Sequence, residues 1–323
     1  MRRRDIIFGL SAGVLAYPLA AIAQEHGLPL VGFLHSGSPG PFANAVAAFR
    51  DGLHEAGYTA GRNVAIDFRW AEGNYDLVPS LALAIVRRQP AVIVAIGGAQ
   101  ARAAKAATRT IPIVFISGGD PFGGGPAERP GGNTTGISIV AAELTGRRLA
   151  LLRELVPNTT LLAVLLNTSN PNSANQLAEL QQTARSLGQA IHITKATSER
   201  DIDTAFESFP DIRPDALFVA PDPFFYSRRN QIVRLAGRYE MPALYTQRDF
   251  VLAGGLVSYG ASLAYGYRQA GIYAGRILDG ASPAELPVVQ SNTFELAVNL
   301  KTAKRLDLAV PQSILAQSTE VVE

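Results

Sequence analysis

Two carboxylates stand out as a pair. Asp120-Pro121 follows the β-branched run Ile113-Val114-Phe115-Ile116, and Asp222-Pro223 follows a second short apolar run, 216–220. Each Asp-Pro therefore sits just past the carboxyl end of a predicted strand, where open α/β sheets bind ligands. Two carboxylates facing one cleft would hold an ammonium group or sugar hydroxyls through charge-assisted hydrogen bonds. The same dipeptides also start ordinary turns. Gly97-Gly98-Ala99-Gln100 lies between an apolar strand, 91–96, and an alanine-rich helix. Bare glycines let backbone N–H groups approach a ligand there, and a helix start favours an anion, so a carboxylate suits the turn. A tight strand-to-helix turn with no ligand has the same composition. The dinucleotide pattern Gly-x-Gly-x-x-Gly is absent.

The other strand-end loops are 35–41, which contains Ser36, and 167–172, 221–226 and 245–249. Tyr226, Tyr245 and Tyr259 lie in or beside these loops with Phe42 and Phe225. Aromatic walls suit a ligand with an apolar body, and core packing is the competing role for each ring. His35 next to Ser36 would need a carboxylate partner to act catalytically. The four histidines, His26, His35, His54 and His192, show no metal-ligand spacing, and neither Gly-x-Ser-x-Gly nor a phosphate-loop lysine motif occurs. The residues favour binding over catalysis and call for no metal or cofactor.

The elements that must position these loops alternate. Strands are predicted at 28–34, 64–70, 91–96, 113–116 and 134–139, with helices at 42–56 and 77–88 and one opened by 97–100 and running to about 108 between them. After a helix at 144–156, ended by Pro157, the pattern starts again. Strands fall at 161–166, 190–195, 216–220 and 243–246, with helices at 174–187, 198–209 and 228–239. Such alternation specifies parallel sheets with helices on both faces. The halves look duplicated: Phe33–Pro39 matches Leu165–Pro171 in pattern, and the spans from Pro39 to Gly57 and from Pro171 to Gly188 are nearly equal. The tail breaks the alternation with strands at 255–259, 288–290 and 294–298 and helices at 263–278 and 300–306. The chain thus returns between two lobes, predicted as 28–138 plus 251–283 and 139–250 plus 284–323, with Asp120 in the cleft.

With 323 residues, 47% hydrophobic and 17% charged, the chain can bury two sizeable cores. Of 29 basic and 27 acidic residues, Arg2, Arg3, Arg4 and Asp5 fall in the N-terminal segment, so the remainder is balanced. Balance argues against nucleic acid or an anionic membrane as partner. Cysteine is absent, which excludes disulfides, thiol catalysis and a lipid-anchored cysteine. Residues 1–23 read as an export signal: three arginines, an apolar stretch at 6–19, then Ala21-Ile22-Ala23 as a small-x-small cleavage site before Gln24. Arg3-Arg4-Asp5-Ile6-Ile7 also approximates a twin-arginine signal. An uncleaved anchor is the alternative; Gly9, Gly13 and Pro18 interrupt the apolar run.

The pieces MRRRDII, VGFL, GLHEAGYTAGRNVAIDFRWAEGNYD, VIVAIGG, IPIVF, GGDP, RPGGNTTGIS, LLRELVP and AVLLN, together with the ending Leu306-Asp307-Leu308-Ala309-Val310-Pro311, cover nearly the whole chain. They resemble the periplasmic substrate-binding components of ABC importers, in the subgroup that includes tryptophan-binding proteins. The resemblance implies a type I periplasmic-binding fold, with two α/β lobes, a three-strand hinge and a ligand closed between them. It further implies a periplasmic, monomeric protein that meets ABC permease and ATPase subunits. Asp120 and Asp222 would address a ligand's amine, and the turn at 97–99 its carboxylate. One departure is that 122–128 is shorter than the matching family segment. An amino acid is the ligand class expected, a sugar the alternative, with sensing or catalysis as other functions.

Overall fold

The computed structural model describes residues 27–122, 132–139 and 142–323. The export signal and most of the shortened segment lie outside the described residues. In chain order the strands are β1 (Leu30–His35), β2 (Ala65–Trp70), β3 (Val92–Ile96), β4 (Ile113–Ser117), β5 (Thr134–Ile139), β6 (Leu161–Leu166), β7 (Ala190–Lys195), β8 (Ala216–Val219), β9 (Ala243–Tyr245), β10 (Val257–Ala261), β11 (Val289–Ser291), β12 (Phe294–Asn299) and β13 (Glu320–Val322). They form two sheets, ordered β11-β5-β4-β3-β1-β2 and β13-β12-β10-β9-β8-β6-β7. Strands β1, β3, β4, β6 and β8 are buried along nearly their whole length. Strands covered by helices on both faces need such continuous apolar runs.

The duplication seen in the residues is present in the topology. The first five strands take the order β2-β1-β3-β4-β5, and the next five take β7-β6-β8-β9-β10. In each half the order reverses between the first and third strands, so crevices open beyond β1/β3 and β6/β8. Gly57 and Gly188 both adopt positive φ, at 87° and 64°, and each follows the last turn of the first helix of its half. Only the β10–β12 pair is antiparallel among the described pairs of the named strands.

The chain crosses between sheets after β5, after β10 and between β11 and β12. The crossing points differ from those read in the sequence. β10 pairs with β9 and β12, so residues 251–261 belong with the second sheet, not the first. β11 pairs with β5, so the first lobe extends past 283 to Ser291. The short sequence of β10 reads the same in either sheet; its partners decide where it lies. The helix Leu263–Leu278 returns to the first lobe and crosses the helix Ala43–Glu55. A capping box of Ser198 and Asp201 starts the helix Glu199–Glu207, as the residue spacing predicts. No helix among the described residues is long and apolar enough to cross a membrane.

Candidate ligand-binding cleft

A cleft of about 440 Å³ lies between the lobes, at the carboxyl ends of both sets of parallel strands. The first lobe contributes the turns after β1, β3 and β4. Gly97 caps the helix Gly98–Ala107 at φ 114°, a left-handed conformation that glycine tolerates. Its own N–H bonds to the Ile116 carbonyl at 2.7 Å. The N–H groups of Gly98 and Ala99 have no protein acceptor among the described residues. They are donors at a helix start, suited to an anion. Buried Gln100, its amide oriented to serve both neighbours, donates to the Ile96 carbonyl at 3.0 Å and accepts from the Ser36 N–H and hydroxyl at 3.2 and 3.0 Å. The turns after β1 and β3 are thereby tied together. Arg102, one turn into the helix, reaches Pro121 O at 3.4 Å. Asp120 lines the same wall, and its Oδ1 accepts from the Phe122 N–H at 2.8 Å.

Asp222, at the end of β8, is 6% exposed. Oδ1 accepts from Asn167 Nδ2 at 3.1 Å and from the Phe224 N–H at 2.8 Å. Oδ2 accepts from Asn170 Nδ2 at 2.7 Å and from the Tyr75 hydroxyl at 3.0 Å. Four hydrogen bonds fill a carboxylate's usual capacity, so Asp222 can take a ligand's amine only if one of these donors leaves. Burial raises its carboxyl above the usual range, against the opposing pull of its donors. Burial, and then the Asp222 charge, hold the Tyr75 phenol well above its ordinary value, so it stays a donor.

Tyr75 belongs to the first lobe and Asp222 to the second, so their hydrogen bond joins the lobes within the cleft. Phe42 and Tyr226 add a second bridge, with ring centroids 4.5 Å apart. A hydrogen bond to a buried charge contributes roughly 1.5–3 kcal/mol. Tyr75→Phe is therefore expected to lower ligand affinity about tenfold and to enlarge the ligand-free protein in solution scattering. Wild-type affinity with unchanged scattering would show that the bond does not hold the lobes together.

His35 is fully buried. Its Nδ1 accepts from the Gly37 N–H at 2.6 Å, which places the proton on Nε2, facing the Tyr267 hydroxyl at 2.7 Å. Its partner is a phenol, not a carboxylate, and burial lowers its pKa to about 3. Between pH 6.5 and 3 the unfolded chain thus takes up a proton that folded His35 refuses, so stability falls as pH falls, by about 1.4 kcal/mol per unit from this residue. Urea unfolding of wild type and His35→Gln from pH 7 to 4.5 should show a shallower slope in the variant. Equal slopes would remove His35 as the cause.

Of the nine residues read as candidates, Ser36, Gly97, Gly98, Ala99, Asp120, Asp222 and Tyr226 line the cleft. Tyr245 and Tyr259 are not among its lining residues. The Tyr245 ring turns into the second-lobe core and stacks on Phe250 at 4.6 Å, leaving the next residue, Thr246, at the cleft. Tyr259 packs against Phe294 and contributes its carbonyl, which accepts from Arg148 Nε at 2.7 Å. The sequence reading missed Arg148, Glu179 and Tyr75. Arg148 did leave a signal, since it is the one charge on the stripe Leu144, Arg148, Leu152, Leu155 of the helix Ala142–Leu155.

A family model described as "ABC transporter substrate binding protein" matches residues 39–322. The chain belongs to that family. A tyrosine-binding protein of Clostridioides difficile (strain R20291) is 29% identical over 267 residues, covering 82% of this chain and 76% of that protein. A Streptococcus pneumoniae ABC domain in complex with L-Trp superposes with a TM-score of 0.80 at 25% identity, covering 92% of this chain and 100% of that one. The ligand-free, open structure of a substrate-binding protein with adhesive properties from Clostridium difficile gives 0.63, also at 25% identity, covering 92% and 99%. The chain thus superposes more closely on the L-Trp complex than on the ligand-free, open structure. The fold is the type I periplasmic-binding fold of these structures.

Proposed function

We propose that this chain captures an amino acid in the periplasm and delivers it to the permease and ATPase subunits of an ABC importer, without catalysis. The observation that carries the reading is the cleft itself. It joins the topological switch points of two duplicated lobes and is sized for one small molecule. The named ligands of its relatives, tyrosine and L-Trp, support an amino acid over a sugar. On this reading the N–H groups of Gly98 and Ala99 take the ligand's carboxylate, and Asp120 takes its ammonium. Asp222, with its hydrogen bonds already filled, holds the closed arrangement. Closure then buries charge-assisted bonds that form only with ligand present, so ligand shifts the lobes toward the closed state.

Calorimetry against the twenty amino acids and a set of pyranoses tests this, with thermal unfolding in parallel. Micromolar or tighter binding of an amino acid, with no turnover, is expected. Binding of sugars alone, or conversion of the ligand, would overturn the reading.

A further inference from the structure

The cleft extends into the second lobe between the helices Ala142–Leu155 and Ser173–Ser186. Leu144, Leu166, Leu180 and Phe218 wall this extension, so it suits the apolar body of a ligand side chain. Two charged side chains line it as well. Arg148 is 5% exposed, and only its Nε is hydrogen-bonded, to Tyr259 O; its two terminal nitrogens make no hydrogen bond among the described residues. Glu179 Oε1 is buried with no hydrogen-bond partner. The two side chains form no ion pair with each other, although the Glu179 charge is felt at Arg148. Burial lowers the Arg148 guanidinium to about 10, which leaves it charged at neutral pH.

A buried acceptor without a partner, as at Glu179 Oε1, is costly unless something fills it, and the Arg148 terminal nitrogens are open donors lining the same extension. A group that fits must accept from Arg148 and donate to Glu179. It should carry no net charge, because the wall's own charges cancel. A hydroxyl meets all three conditions. An indole N–H donates only, and a hydrocarbon does neither. The apolar walls leading to the pair favour an aromatic ring over a short polar chain.

We propose that Arg148 and Glu179 read a phenolic hydroxyl at the far end of the ligand, so that this protein selects a hydroxylated aromatic amino acid. The inference rests on the amino-acid reading above, with the ligand's zwitterionic head on the first lobe. Arg148 and Glu179 then set specificity, because a site built around a hydroxyl rejects the analogue that lacks it by leaving its own polar groups unpaired.

The test is calorimetry of the wild-type protein with tyrosine, phenylalanine, O-methyl-tyrosine and tryptophan, alongside the other amino acids. Tyrosine is expected to bind at least about a hundredfold tighter than phenylalanine. O-methyl-tyrosine, which keeps the acceptor and loses the donor, should also bind more weakly than tyrosine. In Arg148→Met and Glu179→Gln, each checked for cooperative thermal unfolding, tyrosine and phenylalanine should come within about threefold of one another. If a variant does not fold, the wild-type analogue series still decides. Tyrosine and phenylalanine binding the wild type equally, or discrimination undiminished in both folded variants, would overturn the assignment. So would tight binding of a non-aromatic amino acid only, which leaves the amino-acid reading standing. If no amino acid binds at all, that reading falls and the assignment falls with it.

Discussion

Asp222→Ala is expected to destabilise the protein by about 3 kcal/mol or more in urea unfolding, whatever its effect on ligand. The side chain is the common acceptor for Asn167, Asn170, the Phe224 N–H and Tyr75. Each buried donor left without a partner costs roughly 1–3 kcal/mol, and water entering the vacated space recovers part of that. The helix Pro223–Ser227 also loses its N-cap, since the Phe224 N–H is the capping contact, worth about 1 kcal/mol. Asp222→Asn should fall between, because it keeps one acceptor oxygen and turns the other position into a donor that faces donors. The expected order of stability is therefore wild type, then asparagine, then alanine. A loss below about 1 kcal/mol for alanine would mean that the network contributes little and that Asp222 acts chiefly through its charge.

Much of this architecture was legible before any coordinates. A buried strand of an α/β sheet is a continuous apolar run, so 161–166 stands out residue for residue; 134–139 and the edge strand 190–195 also match in their bounds, through β-branched residues rather than a continuous apolar run. The helix Leu263–Leu278 does too, through its period. What the residues did not reveal falls into two physical kinds. The helices Pro223–Ser227 and Arg248–Leu252 and the strand Glu320–Val322 are too short for any periodicity to show. The hinge crossings depend on which sheet recruits a strand, and a run such as Val257–Ala261 carries no mark of its partner.

The cleft was legible to the level of loops rather than atoms. The loop 167–172 was singled out, yet nothing in it says that Asn167 and Asn170 would turn onto Asp222. Tyr245 was misplaced because strand-end position does not fix which way a ring turns. Arg148 was readable as a charge on an apolar stripe and was overlooked.

Gly271→Ala should be as damaging as Asp222→Ala, at about 3 kcal/mol or more, although it touches no ligand. The helices Ala43–Glu55 and Leu263–Leu278 cross at closest approach where glycines face each other. A Cβ on Gly271 would strike the Phe49 carbonyl oxygen and stand 2.7 Å from Leu53 N and 3.0 Å from Gly52 C. A Cβ on Gly52 would strike the Arg268 carbonyl. These obstacles are backbone, which cannot swing aside as a flexible side chain can, so the helices must separate and lose packing along their length. The separation reaches the cleft, because Leu263 and Tyr267 on the moving helix line it and Tyr267 bonds His35. Ligand affinity should therefore fall with stability. The double variant Gly52→Ala, Gly271→Ala should cost less than the sum of the single changes, since helices already forced apart admit a second methyl more easily. Full additivity, or a single-variant loss under about 1 kcal/mol, would show that the crossing has slack, and that the glycines are not what sets the distance between the two helices.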